Sequence, residues 1–346
     1  MSAAYAEPMT AVADRVPASE PPIPPTGPDG VAWRPATAAD VDGITDLHAA
    51  MAGVDHPDWA ETREEIAEAL GHSWVDLDHD TLVAETGGRI VAFGHVNLPD
   101  GYDSVLRVFL NGGVHPDERG RGVGRRLLDW QRRRALEMLA TVTDTIPVWV
   151  LVYAESRNVA HQHLLDRSGF GLARYFLQMV RDLADPIPQP ALPDDLTAVT
   201  PDDALADPIL AARDSAFRDH WGSQPTSAEE WRSFWRMPTL RRDLSVAAVD
   251  ARGAVGGFVL TQVTPEDFER QGYAGAYIPL IGVVRDHRRR GVAPALIAEV
   301  LRRCRADGLE KVKLDVDAEN PTGALGLYTG LGFVESSRGM AYSLEV

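Results

Sequence analysis

One pattern is written twice along this chain, and it restricts the fold more than any other feature. Near the end, the short apolar stretch Tyr277-Ile278-Pro279-Leu280-Ile281 leads into the basic turn Val283-Val284-Arg285-Asp286-His287-Arg288-Arg289-Arg290-Gly291-Val292-Ala293-Pro294. Leu296, Ile297, Val300, Leu301 and Cys304 then recur at helical spacing, so a strand feeds a tight loop that opens a helix. Lys311 to Asp317 alternates as a strand does, and Asn320, Ala324 and Tyr328 lead into Gly330-Leu331-Gly332-Phe333. The same order stands earlier: Val114-His115-Pro116-Asp117-Glu118-Arg119-Gly120-Arg121-Gly122-Val123-Gly124, a helix carrying Leu127, Leu128, Met138 and Leu139, the strand Val148 to Val152, Asn158, and Ser168-Gly169-Phe170. The repetition predicts a tandem duplication of one domain.

The start of a helix presents unpaired N–H groups and the positive end of a dipole, and a glycine there lets an anion approach the backbone. A phosphate is the expected ligand of both turns. Neither is the dinucleotide fingerprint, which needs three glycines and a downstream acid, and no Gly-Lys-Ser/Thr of a Walker loop follows. Arg288 to Ala293 and Arg119 to Gly124 resemble instead the pyrophosphate loop of the GCN5-related N-acetyltransferase (GNAT) family, whose motif runs Gln/Arg-x-x-Gly-x-Gly/Ala. The succession of strand, Asn320, Ala324, Tyr328 and Leu331-Gly332-Phe333 is similar to the second half of that family's core.

The resemblance implies an α/β fold class: two tandem GNAT domains, each an α+β mixed sheet flanked by helices and splayed between the strand before the loop and the strand after its helix. It implies acetyl-CoA or another short acyl-CoA as co-substrate, with no metal. The pantetheine arm would pair with Ile281, Gly282 and Val283, or with Gly112, Gly113 and Val114. The pyrophosphate would lie on the amides of Arg288, Arg289, Arg290, Gly291, Val292 and Ala293, or of Arg119, Gly120, Arg121, Gly122, Val123 and Gly124, the arginines adding charge. Asn320 joins this cofactor-binding set.

The family passes the acyl group directly from thioester to amine, which needs a base for the ammonium proton and an acid for the departing thiolate. Tyr328, five residues before Phe333, matches the family's acid. The same count back from Phe170 gives Leu165, which has no proton to give. The second domain is thus expected to catalyse, and the first to bind CoA or serve a structural role. A non-catalytic acyl-CoA-binding or regulatory protein is the alternative, favoured by Leu165 and opposed by Tyr328. Glu229, Glu266, Asp267, Asp315, His220 and a water chain all stay open as the base. Asp315 and Asp317 share a strand face without further metal ligands nearby in sequence.

The 346 residues suffice for two ordinary domains, with a hydrophobic fraction of 45% and a charged fraction of 25% typical of soluble globular proteins. A formal charge of −17 argues against a nucleic-acid partner and favours a small, cationic amine acceptor. No apolar run is long enough for a membrane span, and Met1 to Pro28 lacks a basic apolar leader, so a cytoplasmic location is expected. Oligomeric state has no signal here. Cys304, the single cysteine, is expected as a buried small hydrophobe, and Arg132-Arg133-Arg134 as a solvated helix face.

Residues 1–30, rich in Pro and Ala, are expected as a disordered tail, 31–183 as the first domain, 184–193 as a proline-rich linker and 194–346 as the second domain. Thr37 and Asp40 form a capping pair ahead of a helix. Gly87-Gly88 and Asp250 to Gly253 are hairpin turns. Tyr175 to Val180 would close the first sheet, and Ala341 to Val346 would be the last strand of the second.

Overall fold

The computed structural model of the protein describes residues 10–17, 21–56, 58–319 and 323–346. They build one twelve-stranded sheet. The first half supplies β1 (Ala32–Arg34), β2 (Thr81–Thr86), β3 (Arg89–Asn97), β4 (Leu106–Val114), β5 (Val148–Glu155) and β6 (Gly171–Asp182). The second supplies β7 (Thr197–Val199), β8 (Val246–Val249), β9 (Val255–Gln262), β10 (Gly275–Val283), β11 (Lys311–Asp317) and β12 (Val334–Glu345). β4 and β5 run parallel, as do β10 and β11, because a helix crosses between them; the pairs around them are antiparallel. Both hairpin turns fall where expected, between β2 and β3 and between β8 and β9. The Asp40 carboxylate accepts the Thr37 N–H at 2.7 Å, completing the cap before the helix Val41–Asp55.

The strand order is β1-β2-β3-β4-β5-β12-β6-β11-β10-β9-β8-β7. The last strands of the two halves have changed places. β12 pairs with β5 from Gly339↔Glu155 to Glu345↔Trp149, and β6 pairs with β11 from Lys311↔Asp182 to Asp317↔Phe176. Neither Tyr175 to Val180 nor Ala341 to Val346 completes its own half. Met340 and Tyr342 of β12 fill the first core beside Leu106, Val150 and Phe170, while Leu177 and Met179 of β6 fill the second beside Leu296, Leu314 and Phe333. Alternation specifies that a segment is a strand and which face is buried; it does not specify the neighbour.

The helices that follow the two loops, Val123–Leu139 and Val292–Ala306, lie on one face of the sheet, and Val41–Asp55 and Ala206–Phe217 on the other. Cys304 is fully buried, and burial pushes its thiol up to about 12. Arg134 is not a solvated residue: it donates to Asp80, which is 2% exposed, and to Glu137.

Part of the expected tail is ordered. Val12–Arg15 forms a helical turn whose Val12 is fully buried, with the Val12 and Ala13 N–H groups donating to Asp144 O and Val142 O at 2.9 Å. No proline falls within this turn, and Val12 and Val16, four apart, supply enough apolar surface to dock it. The linker is pinned as well. Arg181, 3% exposed, donates to Leu331 O at 2.8 Å and to Pro186 O at 2.7 Å, joining β6, the linker and the turn before β12. Arg181→Ala strands those carbonyls and is expected to destabilise the protein by about 2–4 kcal/mol, read as a lower urea midpoint.

Candidate active site

Both loops have the same backbone. Gly120 and Gly122 have φ of +80° and +83°, and Arg289 and Gly291 take +60° and +82°. Gly122 and Gly291 are the N-caps of the long helices, so the first-turn amides of each helix point out of the loop. Among the described residues Arg289 is the one non-glycine at positive φ, and it stands where the first loop has Gly120.

Arg119, Arg121, Arg288 and Arg290 are paired inside the chain. Arg119 forks onto Asp55 at 2.8 and 2.6 Å and donates from Nε to Val114 O at 3.1 Å. Arg288 repeats this, with Nε to Val283 O at 3.3 Å, Nη1 to Asp219 at 3.1 Å and Nη2 to Ala216 O at 2.9 Å. Arg121 pairs with Glu118, and Arg290 forks onto Asp195 at 2.6 and 3.1 Å. Asp219 and Asp195 are held below the usual carboxylate range by these guanidinium groups. The leading arginine of each motif therefore ties the loop to the strand before it and to the helix on the opposite face, and the amides are what the loop offers an anion.

A fork opens beside each loop. Parallel pairing of β4 with β5 ends at Phe109↔Leu151, and that of β10 with β11 at Ile278↔Leu314. Gly112, Gly113 and Val114 pair only with β3, and Ile281, Gly282 and Val283 only with β9, so their other edges face the fork. Gly112 must be glycine: at φ +116° an added Cβ would lie 2.0 Å from Phe93 O.

Tyr328 lies in the helix Ala324–Gly330, 8% exposed, its ring edge-on to Phe333 at 6.0 Å between centroids. Burial pushes its phenol up to about 12, so the proton stays on oxygen at neutral pH. Leu165, its counterpart in the first half, is fully buried. Asn320 lies outside the described residues, whereas Asn158 caps the helix Val159–Arg167 by accepting the His161 N–H at 3.0 Å.

The sheet face opposite the long helices carries residues that no local pattern announces. Register places Glu155, Gly339, Phe176 and Asp317 in one row across β5, β12, β6 and β11. Trp149 stacks on Trp221 at 4.9 Å, Phe176 meets Trp221 at 6.4 Å and Tyr153 at 6.0 Å, and the Arg174 guanidinium lies 5.5 Å over Trp221. Trp221 comes from the second half and crosses onto the first, anchored where Gln224 accepts the Asp103 N–H at 2.8 Å. The loop at Asp58 crosses the other way, its carbonyl accepting from Lys313 Nζ at 3.1 Å. The crossing loops at Trp221 and Asp58 thus border an acidic and aromatic cleft face at the middle of the sheet.

Among the open candidates for the base, Glu229 accepts from Ser73 and Asp267 accepts the Ala60 N–H at 3.0 Å, so both join the halves. Glu266 stands exposed at the N-cap of the helix Asp267–Gln271, and Asp315 and His220 lie at the cleft. Asp315 is exposed, yet the protein packed around it desolvates its carboxyl and pushes it up; burial lowers the proton affinity of His220, and the Tyr277 hydroxyl donates to Asp315 Oδ2 at 2.8 Å. Glu155 is held at about 7 by burial, then by Asp315 and Asp55. A carboxyl raised in the folded state gives stability that is present below the unfolded value and lost as pH rises through about 7. Glu155→Gln removes that loss and is expected to raise stability by about 1–2 kcal/mol at pH 8, discounted for partial exposure, and to change nothing at pH 4 in thermal melts.

Among the described residues no three His, Cys, Asp or Glu side chains gather to hold a metal ion, and no helix is long and apolar enough to cross a membrane. The sequence model described as acetyltransferase (GNAT) family matches residues 207–333, and that described as acetyltransferase (GNAT) domain matches residues 77–170. The chain belongs to the GNAT family of acetyltransferase enzymes. Within it, the chain is similar to mycothiol acetyltransferases: 33% identical to that of Frankia casuarinae over 81% of each chain, and 29% identical to that of a Parafrankia species over 90% of this chain and 97% of the other. Among solved structures, a GCN5-related N-acetyltransferase from Sphaerobacter thermophilus superposes with a TM-score of 0.69 at 28% identity, covering 92% and 97% of the two chains. A tandem GNAT protein from the clavulanic acid biosynthesis pathway shares the fold, with a TM-score of 0.65 at 20% identity over 91% and 98%.

Proposed function

We propose that the protein transfers an acetyl group from acetyl-CoA to the primary amine of a small molecule, directly and within a ternary complex, and that the second half performs the chemistry. The observation that carries this is Tyr328, a phenol kept protonated in the half with the second fork, where the first half has Leu165. The pyrophosphate lies on the first-turn amides at Gly291 to Ala293, and the pantetheine arm pairs along Ile281 to Val283. The amine attacks the thioester carbonyl, the C–N bond forms, and Tyr328 protonates the thiolate as the C–S bond breaks. The first half keeps a full loop and fork and binds a CoA without turnover, or serves the sheet alone.

Likeness to mycothiol acetyltransferases supports a small amine acceptor related to mycothiol. The acids and rings of the central cleft support an acceptor that is cationic at one end and carries a flat or apolar body. Calorimetric titration with acetyl-CoA, followed by thiol release against a panel of small amines, tests the reading. Binding with amine-dependent thiol release supports it. Binding without release from any amine favours an acyl-CoA-binding protein, and absence of binding overturns the co-substrate.

A further inference from the structure

Transfer from a thioester to an ammonium requires a destination for the ammonium proton, and the second fork holds one at its vertex. Pairing of β10 with β11 ends at Ile278↔Leu314. Asp315 is the next residue of β11, and Tyr277 is the last residue of β10 before that pair. Leu314 and Ile278 point into the core beneath the long helix, so Asp315 and Tyr277 stand on the cleft face. There the Tyr277 hydroxyl donates to Asp315 Oδ2 at 2.8 Å. An acyl arm pairing along Val283 and then Ile281, as proposed above, would run toward this same vertex.

We infer that Asp315 is the general base of the second half, taking a proton from the acceptor's ammonium, and that Tyr277 is a positioning residue that fixes its carboxylate. The assignment rests on the transferase function proposed for that half. Asp315 takes one proton from R–NH3+, and the free amine attacks the thioester carbon. The C–N bond forms as the C–S bond breaks, and the thiolate receives the Tyr328 proton. The second proton lost by nitrogen on amide formation restores Tyr328 through solvent, and Asp315 returns its own to water. The net products are amide, CoA thiol and one proton.

The other cleft groups fit less well. Asp317 spends Oδ1 on the Glu319 N–H at 2.9 Å, capping the turn that leaves β11. Glu155 stands on β5, three strand spacings from β11, or roughly 14 Å. His220 packs its ring against Phe217 at 4.7 Å. The first half supplies an internal contrast. Phe109 registers with Leu151 and stacks with Tyr153 two residues on, just as Tyr277 registers with Lys313 and meets Asp315 two residues on. Where the second fork has a phenol and a carboxylate, the first has two rings, and this is the same half that has Leu165 in place of Tyr328.

The groups facing Asp315 are Tyr277 from β10, Lys313 on its own strand, Gln178 across β6, and at longer range Glu155 from β5. Lys313 is itself held by Asp58 O and by Gln271 Oε1 at 2.8 Å. Asp315 is open to solvent on one side, yet desolvation by the protein packed around it outweighs Tyr277 and Lys313 and leaves its carboxyl more basic than a free aspartate.

The test is the pH profile of kcat/KM for the best amine of the panel, on the full chain with acetyl-CoA. Asp315→Asn is expected to lower kcat/KM on the order of 10²-fold or more and to abolish the acidic limb, with acetyl-CoA affinity unchanged by calorimetry. Asp315→Glu is expected to restore part of the rate together with the limb. Tyr277→Phe removes a donor to the carboxylate, so the limb is expected to move to higher pH, a shift that a merely structural loss does not produce. An active wild type whose Asp315→Asn variant keeps the wild-type rate, or keeps the limb while losing rate equally at every pH, overturns the assignment and leaves the transferase standing. A wild type that releases thiol with no amine overturns both.

Discussion

Tyr328→Phe is expected to lower turnover on the order of 10²-fold or more while leaving acetyl-CoA binding unchanged by calorimetry. The substitution removes one hydroxyl and keeps the ring packed edge-on against Phe333, so the second core and the thermal midpoint should hardly move. The thiolate of CoA then leaves without a protein proton. Because the phenol of Tyr328 is pushed up to about 12, wild type keeps its acid across the neutral range, and a basic limb below pH 10 in kcat belongs to some other group. Turnover by Tyr328→Phe at the wild-type rate removes the phenol from the chemistry.

Gly291→Glu is expected to abolish acetyl-CoA binding at the second loop and turnover with it, read as loss of one calorimetric site and of thiol release. The carboxylate would stand among the first-turn amides of Val292–Ala306, occupying the phosphate position with a like charge. Strain contributes too, since Gly291 has φ +82°, but only on the order of 1–2 kcal/mol. Gly291→Ala separates the two effects: its Cβ meets only Ala191 O at 3.9 Å, so it should bind more weakly but still turn over. The matching Gly122→Glu change in the first loop should leave turnover in place. Turnover by Gly291→Glu would move the chemistry to the first half.

The sequence made legible what depends on neighbours along the chain. Both loops, both long helices, the Thr37 cap, the two hairpins and the contrast between Tyr328 and Leu165 are local in this sense. The motif locates the loop arginines but not their partners, because charge beside an anion site resembles charge braced under it until Asp55 and Asp219 are in place. The exchange of β6 and β12 left no local mark, since each strand alternates equally well beside either neighbour. The cleft face was hidden with it: Trp149, Tyr153, Phe176 and Trp221 come together only after both strands and both crossing loops have changed sides. Val12 was masked by the prolines around it.

The exchange has a consequence for heredity. A duplicated gene usually leaves one copy free to decay once the other does the work, yet β6, encoded in the half without the tyrosine, walls the second core through Leu177 and Met179 and lays Phe176 and Gln178 beside Asp317 and Asp315. Each copy has become the other's missing wall. Selection on either half therefore reaches into its sibling, and each copy is held in the lineage by masonry, whatever chemistry it performs.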